Sequence, residues 1–442
     1  MFKKWKPSFS FSVAYSPVNE TQHESLLEPE EQNDIDFRLN NQQQKQFPLL
    51  IYWIYFAYGI AMLLPWNVFI TASGYFSTRF AGSIYQDNFQ NYFSAYFNCS
   101  NLISLAVLLF IRQKKNNALK IDIVIPLSIN LAIFSFFSVS SLATPNESTA
   151  VSIIQLTVLA ETSQLLPKYM QAVMSGQGIA GVSVALFSLL TTLLFKNQQL
   201  DVIATFYYFI SALLVTLIAL IGRFALHRQP AYQLMVRHST VDTSIPMTFT
   251  AGNAEEQSTT TLSRTSTSKN AMYDIITKKS SGYIFTIVYI YIITLALFPS
   301  LTVFVRSVNG INSATFISLH FLLFNIGDWI GRTLPIFTCC QVYSSKALIY
   351  ISIARTLFVP LLFNCNLEQQ QQQQQQPLLN SDMLYFIVIL VFAISNGWLT
   401  SLVFIAAPSH VSHDEKPLVG SVISFFLVVG LALGGLSSFI FK

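Results

Sequence analysis

The segment "FNIGDWIGR", residues 324–332, places an acid and a base, Asp328 and Arg332, four residues apart inside an apolar stretch. On a helix, positions i and i+4 share a face. Phe321 and Asn325 continue the same stripe, so an aromatic ring, an amide, a carboxylate and a guanidinium look toward one place. A carboxylate only accepts hydrogen bonds, a guanidinium only donates, and an amide does both. That set suits a ligand rich in hydrogen-bonding groups. A charge at mid-bilayer costs roughly 2.5–3.5 kcal/mol on insertion scales, so the pair must face either a water-filled cavity or another helix. Both readings, a binding stripe and a helix-locking pair, remain open at this level. No phosphate-cradling loop, HExxH or GxSxG occurs, so the chain does not read as an enzyme. No metal or cofactor is expected.

Other candidates lie elsewhere along the chain. "LLPWNVFITASGYF" (63–76) sets Trp66, Asn67 and Ile70 just after Pro65, an aromatic face and an amide at one depth. Proline frees one backbone carbonyl of its helical partner and can kink a span; interfacial tryptophans are the ordinary alternative. "MSGQGIAG" (174–181) continues a ladder of Ala172, Gly176 and Ala180 that permits close helix packing. Gly327 and Gly331 do the same beside the charged stripe. Gly430, Gly434 and Ser438 repeat the pattern near the C-terminus, and Asn396 stands in another span. Gln155 is a hydrogen-bonding candidate, and Glu161 is a proton-coupling candidate unless it pairs with a base. His320 reads as a packed histidine. "NES" (146–148) is a sequon, making Asn146 a glycosylation candidate. The four cysteines show neither metal nor redox spacing.

The elements that position these residues are transmembrane helices. Hydrophobic residues are 52% of 442 and charged residues 10%, far below the charge of a soluble domain. Apolar runs near the 20 residues needed to cross a bilayer fall at about 48–70, 91–111, 121–143, 149–166, 172–195, 202–221, 282–305, 313–337, 346–365, 382–406 and 418–441. The expected fold is an all-α polytopic bundle of eleven spans, because helices satisfy their own backbone in lipid. Lys and Arg concentrate in the N-terminal tail, in "RQKKNNALK" (112–120) and in the segment after span six. The N-terminus is therefore expected in the cytoplasm and the C-terminus outside or in a lumen. The net charge of +4 reflects that loop bias and does not point to nucleic acid. Residues 1–46 read as a disordered tail, 47–223 as a six-helix half, 224–278 as a Ser/Thr-rich linker, and 279–442 as a five-helix half. "EQQQQQQQQ" (368–376) is an outer-loop spacer.

Taken together, "LLPWNVFITASGYF", "MSGQGIAG", "FPSLTVFVRS", "FNIGDWIGRTL", "ARTLFVPLLFNCN", "SNGWLTSL" and "SFFLVVGLALGGLSSFIF" resemble the equilibrative nucleoside transporter family. The blocks follow the family's order over roughly residues 50–442. The resemblance implies a fold like the major facilitator superfamily, with a six-helix half rocking against a five-helix half. It implies a central nucleoside site and facilitative transport. By motif, Trp66, Asn67 and Ile70 would flank the base and Gln155 would hydrogen-bond it. Asp328 and Arg332 would engage the ribose hydroxyls, with Asn325 and Phe321 nearby. Gly176 and Leu431 match positions that affect transport. Glu161 departs from an apolar family position, which keeps a proton-coupled nucleoside or nucleobase carrier as the alternative. A non-transporting receptor or scaffold is the remote one. The plasma membrane is expected over an endosomal or vacuolar one. Purine or pyrimidine preference and oligomeric state are not legible.

Overall fold

The computed structural model describes residues 49–71, 101–107, 167–194, 199–229, 273–299, 301–366, 381–412 and 415–437, with short helical pieces at 127–129, 158–159, 161–163 and 232–233. The N-terminal tail, most of the Ser/Thr-rich linker, the glutamine run, Asn146 and Gln155 lie outside the described residues. So do the side chains of Trp66 and Ile70 and most of the second to fourth expected spans.

The longer helices are α1 (Leu49–Thr71), α2 (Pro167–Leu194), α3 (Gln199–Arg228), α4 (Ser281–Leu297), α5 (Ser313–Thr333), α6 (Ser345–Ala354), α7 (Phe358–Phe363), α8 (Asp382–Ser409) and α9 (Lys416–Ser437). Among the described residues six stretches are long and apolar enough to cross a membrane. The described residues hold no strand beyond an isolated bridge. The helices overlap eight of the eleven expected spans. The other three expected spans lie mostly outside the described residues.

Several boundaries differ from the sequence expectation for identifiable reasons. Helix α2 is already helical at Pro167, before the expected 172, and proline is tolerated in a first helical turn because its missing N–H has no partner there. Helix α3 runs to Arg228, past the expected edge of the N-terminal half at 223. Its apolar period continues through Phe224 and Leu226, and His227 and Arg228 suit the negative end of the helix dipole. The expected seventh span, 282–305, stops as an α-helix at Leu297 and continues as a turn and a 3₁₀ segment at Thr302–Phe304, next to Pro299. The ninth is split by a 3₁₀ turn at Arg355–Leu357. There Pro360 lacks the N–H that would bond the Thr356 carbonyl.

Helix α3 illustrates how sequence sorts lipid from protein. It buries Ala212, Thr216, Ala219, Arg223 and Leu226, and it exposes Leu214, Leu217, Ile218, Ile221 and Phe224 on the opposite face. Both sets follow the helical repeat.

Helix contacts within lipid rely on van der Waals fit rather than on escape from water, so small residues mark them. Helices α1 and α2 meet at Gly59 and Gly176, where an added Cβ would strike the Val173 and Phe56 carbonyls respectively. Helices α5 and α8 meet at Gly331 and Gly397, which face the Ile394 and Asp328 carbonyls. Gly430 and Gly434 seat α9 on α4 at Val288 and Tyr291. Along the seam between α2 and α5, Gly178 faces Trp329 and Gly181 faces the Asn325 amide. An aromatic cluster joins α4, α5 and α8, with Phe298 stacked on Phe324 at 3.8 Å and Phe316 on Tyr385 at 5.5 Å.

Candidate functional site

Helix α5 carries the charged pair into the protein interior. Asp328 and Arg332 are 8% and 5% exposed, so lipid does not surround them. Arg332 Nε donates to Asp328 Oδ2 at 2.6 Å, the one-turn bridge expected from the spacing. The rest of the shell comes from distant sequence. Asn396 Nδ2 of α8 donates to Asp328 Oδ1 at 2.7 Å. Arg332 Nη1 donates to Gln177 Oε1 of α2 at 2.8 Å. Gln171 Nε2 also donates to the Arg332 carbonyl. The pair thus locks α5 to α2 and α8, one of the two readings the sequence left open.

The stripe continues up α5. Asn325 Nδ2 donates to the Phe321 carbonyl at 2.8 Å, and the Asn325 side-chain oxygen fills the space a Cβ would need at Gly181. Phe321 stacks on His320 at 4.8 Å and meets Phe298 edge-on at 5.0 Å. His320 is fully buried among Phe298, Phe316 and Phe321. Below the pair, Trp329 Nε1 donates to Ser175 Oγ at 3.2 Å, a second bond across the seam.

The other candidates lie apart from this cluster. Asn67 Nδ2 donates to its own helix at the Leu63 carbonyl, 2.9 Å away. Gly176 is occupied with α1, and Leu431 packs at the margin of the large apolar core. Glu161 sits in a cluster of its own. It accepts from Tyr55 and Tyr232 hydroxyls at 2.7 Å each and from Arg223 Nη1 at 3.0 and 3.2 Å. Arg223 lies just past the expected end of the sixth span, among the basic residues that follow it. It is instead 7% exposed on α3, because a buried carboxylate 62 residues away draws it inward.

Four residues of this cluster give no signal in the sequence: Gln171, Ser175, Gln177 and Trp329. Ser175 and Gln177 lie inside a motif that reads as a small-residue ladder, Trp329 lies inside the charged motif, and none of the four carries a charge.

A family model described as nucleoside transporter matches residues 141–442. Equilibrative nucleoside transporter 1 of Homo sapiens is 27% identical over 89% of this chain and 96% of that protein. Equilibrative nucleoside transporter 2 of Homo sapiens is 27% identical over 88% and 96%. Equilibrative nucleotide transporter 1 of Arabidopsis thaliana is 27% identical over 87% and 84%. Among solved structures, a bacterial homologue of the human lysosomal transporter Spinster, inward-facing and unoccupied, aligns with a TM-score of 0.42 at 13% identity, over 88% of this chain and 80% of that one. With a family model covering well over half of its length, the chain belongs to the nucleoside transporter family, as an integral membrane protein that crosses the bilayer several times.

Proposed function

We propose that this protein carries nucleosides across a membrane down their gradient, by alternating access and without a coupled ion. The observation that carries the reading is the buried Asp328–Arg332 pair at the seam of α2 and α5, in a chain of this family. A ribose diol offers donors to the carboxylate and acceptors to the guanidinium. Trp66, Asn67 and Ile70 would flank the base, Gln155 would hydrogen-bond it, and Phe321 and Asn325 would close around the sugar. Gly176 and Leu431 would influence transport through helix packing rather than contact.

The architecture that goes with this reading has eleven spans arranged six and five, as in the major facilitator superfamily. The N-terminus lies in the cytoplasm, the C-terminus outside or in a lumen, and the protein in the plasma membrane. Asn146 would then face the glycosylation compartment. Substrate shifts such a two-state carrier only through differential affinity for its two conformations. Seam contacts at the Arg332 end, from Gln171, Ser175 and Gln177, describe a conformation closed at that end. With the orientation above, that is the cytoplasmic end.

Proton coupling is the second reading, and Glu161 is its only sequence motive. The Glu161 environment speaks against it. Its carboxylate is already engaged by the Arg223 guanidinium and by the Tyr55 and Tyr232 hydroxyls, the arrangement of a structural ion pair. Uptake of labelled uridine and adenosine in cells lacking their own nucleoside carriers, at pH 5.5 and 7.5, separates the readings. Saturable uptake indifferent to pH and abolished in a surface-expressed Asp328→Ala variant is expected. Uptake confined to acid pH would overturn the facilitative mechanism, and none by well-placed wild type would overturn the substrate.

A further inference from the structure

Arg355 is among the largest fully buried side chains of the protein, at 2% exposure. It stands in the 3₁₀ turn between α6 and α7. Its guanidinium donates to Ser395 Oγ at 2.6 Å and to the Phe392 carbonyl at 3.2 Å, and it lies 4.6 Å over the Phe392 ring. Among the described residues no carboxylate lies within ion-pair distance of it. A buried cation without a counter-ion is costly, so something must compensate the charge.

The remaining bond shows what does. Arg355 Nη2 donates to Thr294 Oγ1 at 2.8 Å, Thr294 Oγ1 donates to Asn396 Oδ1 at 2.7 Å, and Asn396 Nδ2 donates to Asp328 Oδ1 at 2.7 Å. Two of these directions are forced. A carboxylate can only accept, so the Asn396 amide turns its NH₂ toward Asp328 and its oxygen toward Thr294, and a guanidinium can only donate, so Thr294 accepts from Arg355. The single Thr294 proton has two acceptors, the Asn396 oxygen and the Ile290 carbonyl, each at 2.7 Å. The Arg355 charge favours the route through Asn396, because each bond in a chain polarises the next.

We propose that Arg355 is a positioning residue for the substrate site. Acting through Thr294 and Asn396, it fixes Oδ1 of Asp328, while Arg332 fixes Oδ2. The carboxylate is thereby aimed, and its remaining lone pairs are the ones a ribose hydroxyl meets. Asp328 is thereby held from both sides, directly by Arg332 at Oδ2 and through the relay at Oδ1. The relay also ties α4, the α6–α7 turn, α8 and α5 into one unit. This inference rests on the reading that Asp328 meets ribose hydroxyls.

The test compares uptake of uridine and adenosine with that of their 2′,3′-dideoxy analogues, at matched surface levels. Arg355→Met keeps bulk without charge, and Thr294→Val cuts the relay while leaving Arg355 in place. Each is expected to raise KM for the ribonucleosides about tenfold, the size of a lost hydrogen bond to a charged group. KM for the dideoxy analogues and kcat should stay near wild type. Thr294→Ser, which restores the hydroxyl, is expected to restore discrimination. Should Arg355→Met fail to reach the surface, Thr294→Val decides alone. An unchanged ratio of ribo- to dideoxynucleoside KM in Thr294→Val would overturn the relay. Asp328→Asn run alongside isolates the underlying reading: if it too leaves that ratio unchanged, Asp328 does not meet the ribose and the failure lies there.

Discussion

Gln177 Oε1 accepts from Arg332 Nη1 at 2.8 Å, joining residues 155 positions apart in the chain. The seam between α2 and α5 therefore meets on the charged pair itself. Any motion that opens this seam must break that bond, and any substrate group that takes Arg332 must compete with it. On the proposed alternating-access mechanism the bond must be weak enough to exchange. An amide oxygen, unlike a carboxylate, meets that requirement.

Gln177→Glu changes that balance. It sets a second carboxylate on Arg332 and turns an ion–amide bond into a second ion pair with that guanidinium. The closed seam should be over-stabilised, lowering maximal uptake about tenfold at unchanged surface level. Rates of uridine influx measured over a concentration series check this, and a maximal rate equal to wild type would refute it.

Glu161→Gln tests the separate ion cluster. Removing one partner of a buried pair leaves the other charge uncompensated and costs about 3 kcal/mol. Arg223 and Glu161 side chains are only 8% and 17% exposed, so solvent cannot rescue them. The purified variant should melt at a lower temperature in detergent, while its residual uptake stays as indifferent to pH as wild type. If uptake instead lost a pH dependence that wild type possesses, Glu161 would be a proton site.

Packing supplies a sharper contrast. At Gly397 an added Cβ would strike the Asp328 carbonyl and crowd the Arg332 N–H, whereas at Gly435 it would meet nothing within 4 Å. Gly397→Ala should reduce folded protein strongly, because the obstruction is backbone and cannot swing away. Gly435→Ala should leave yield unchanged. Fluorescence-detected size exclusion of the two variants, expressed side by side, measures this.

Outside the spans, Lys279 Nζ bridges both oxygens of Glu415 at 2.6 and 2.7 Å, with Ser412 adding a bond at 3.0 Å. Partial burial pushes the Glu415 carboxyl up, but the bonds and charge from Lys279 and Ser412 outweigh it and hold the group below its ordinary 4.5. A depressed carboxylate stabilises the fold above its ordinary value and loses that contribution as pH falls below 4.5 through the folded value. The side chains are 43% and 21% exposed, so the contribution is no more than about 1 kcal/mol. Glu415→Gln should lower the melting temperature slightly at neutral pH and equally at pH 5.5. The gap to wild type should close as pH falls below 4.5, in melting curves taken across that range.

What the sequence determined by itself is periodic and local. Apolar length sets where helices run, and the four-residue spacing of Asp328 and Arg332 puts both on one face and within bonding reach. The alternation of apolar faces along α3 follows the same way. Small residues at fixed intervals, such as Gly327 with Gly331, say that another helix approaches closely. They do not say which one. Only the tertiary structure decided that α8 fills that place, that Gln177 caps Arg332, and that Arg223 turns inward to Glu161. It also decided that Arg355 reaches Asp328 through Thr294 and Asn396. The physical reason is that periodicity fixes the direction a side chain faces, while its partner depends on which helices the bundle sets side by side. A buried charge signals in advance only that a partner must exist.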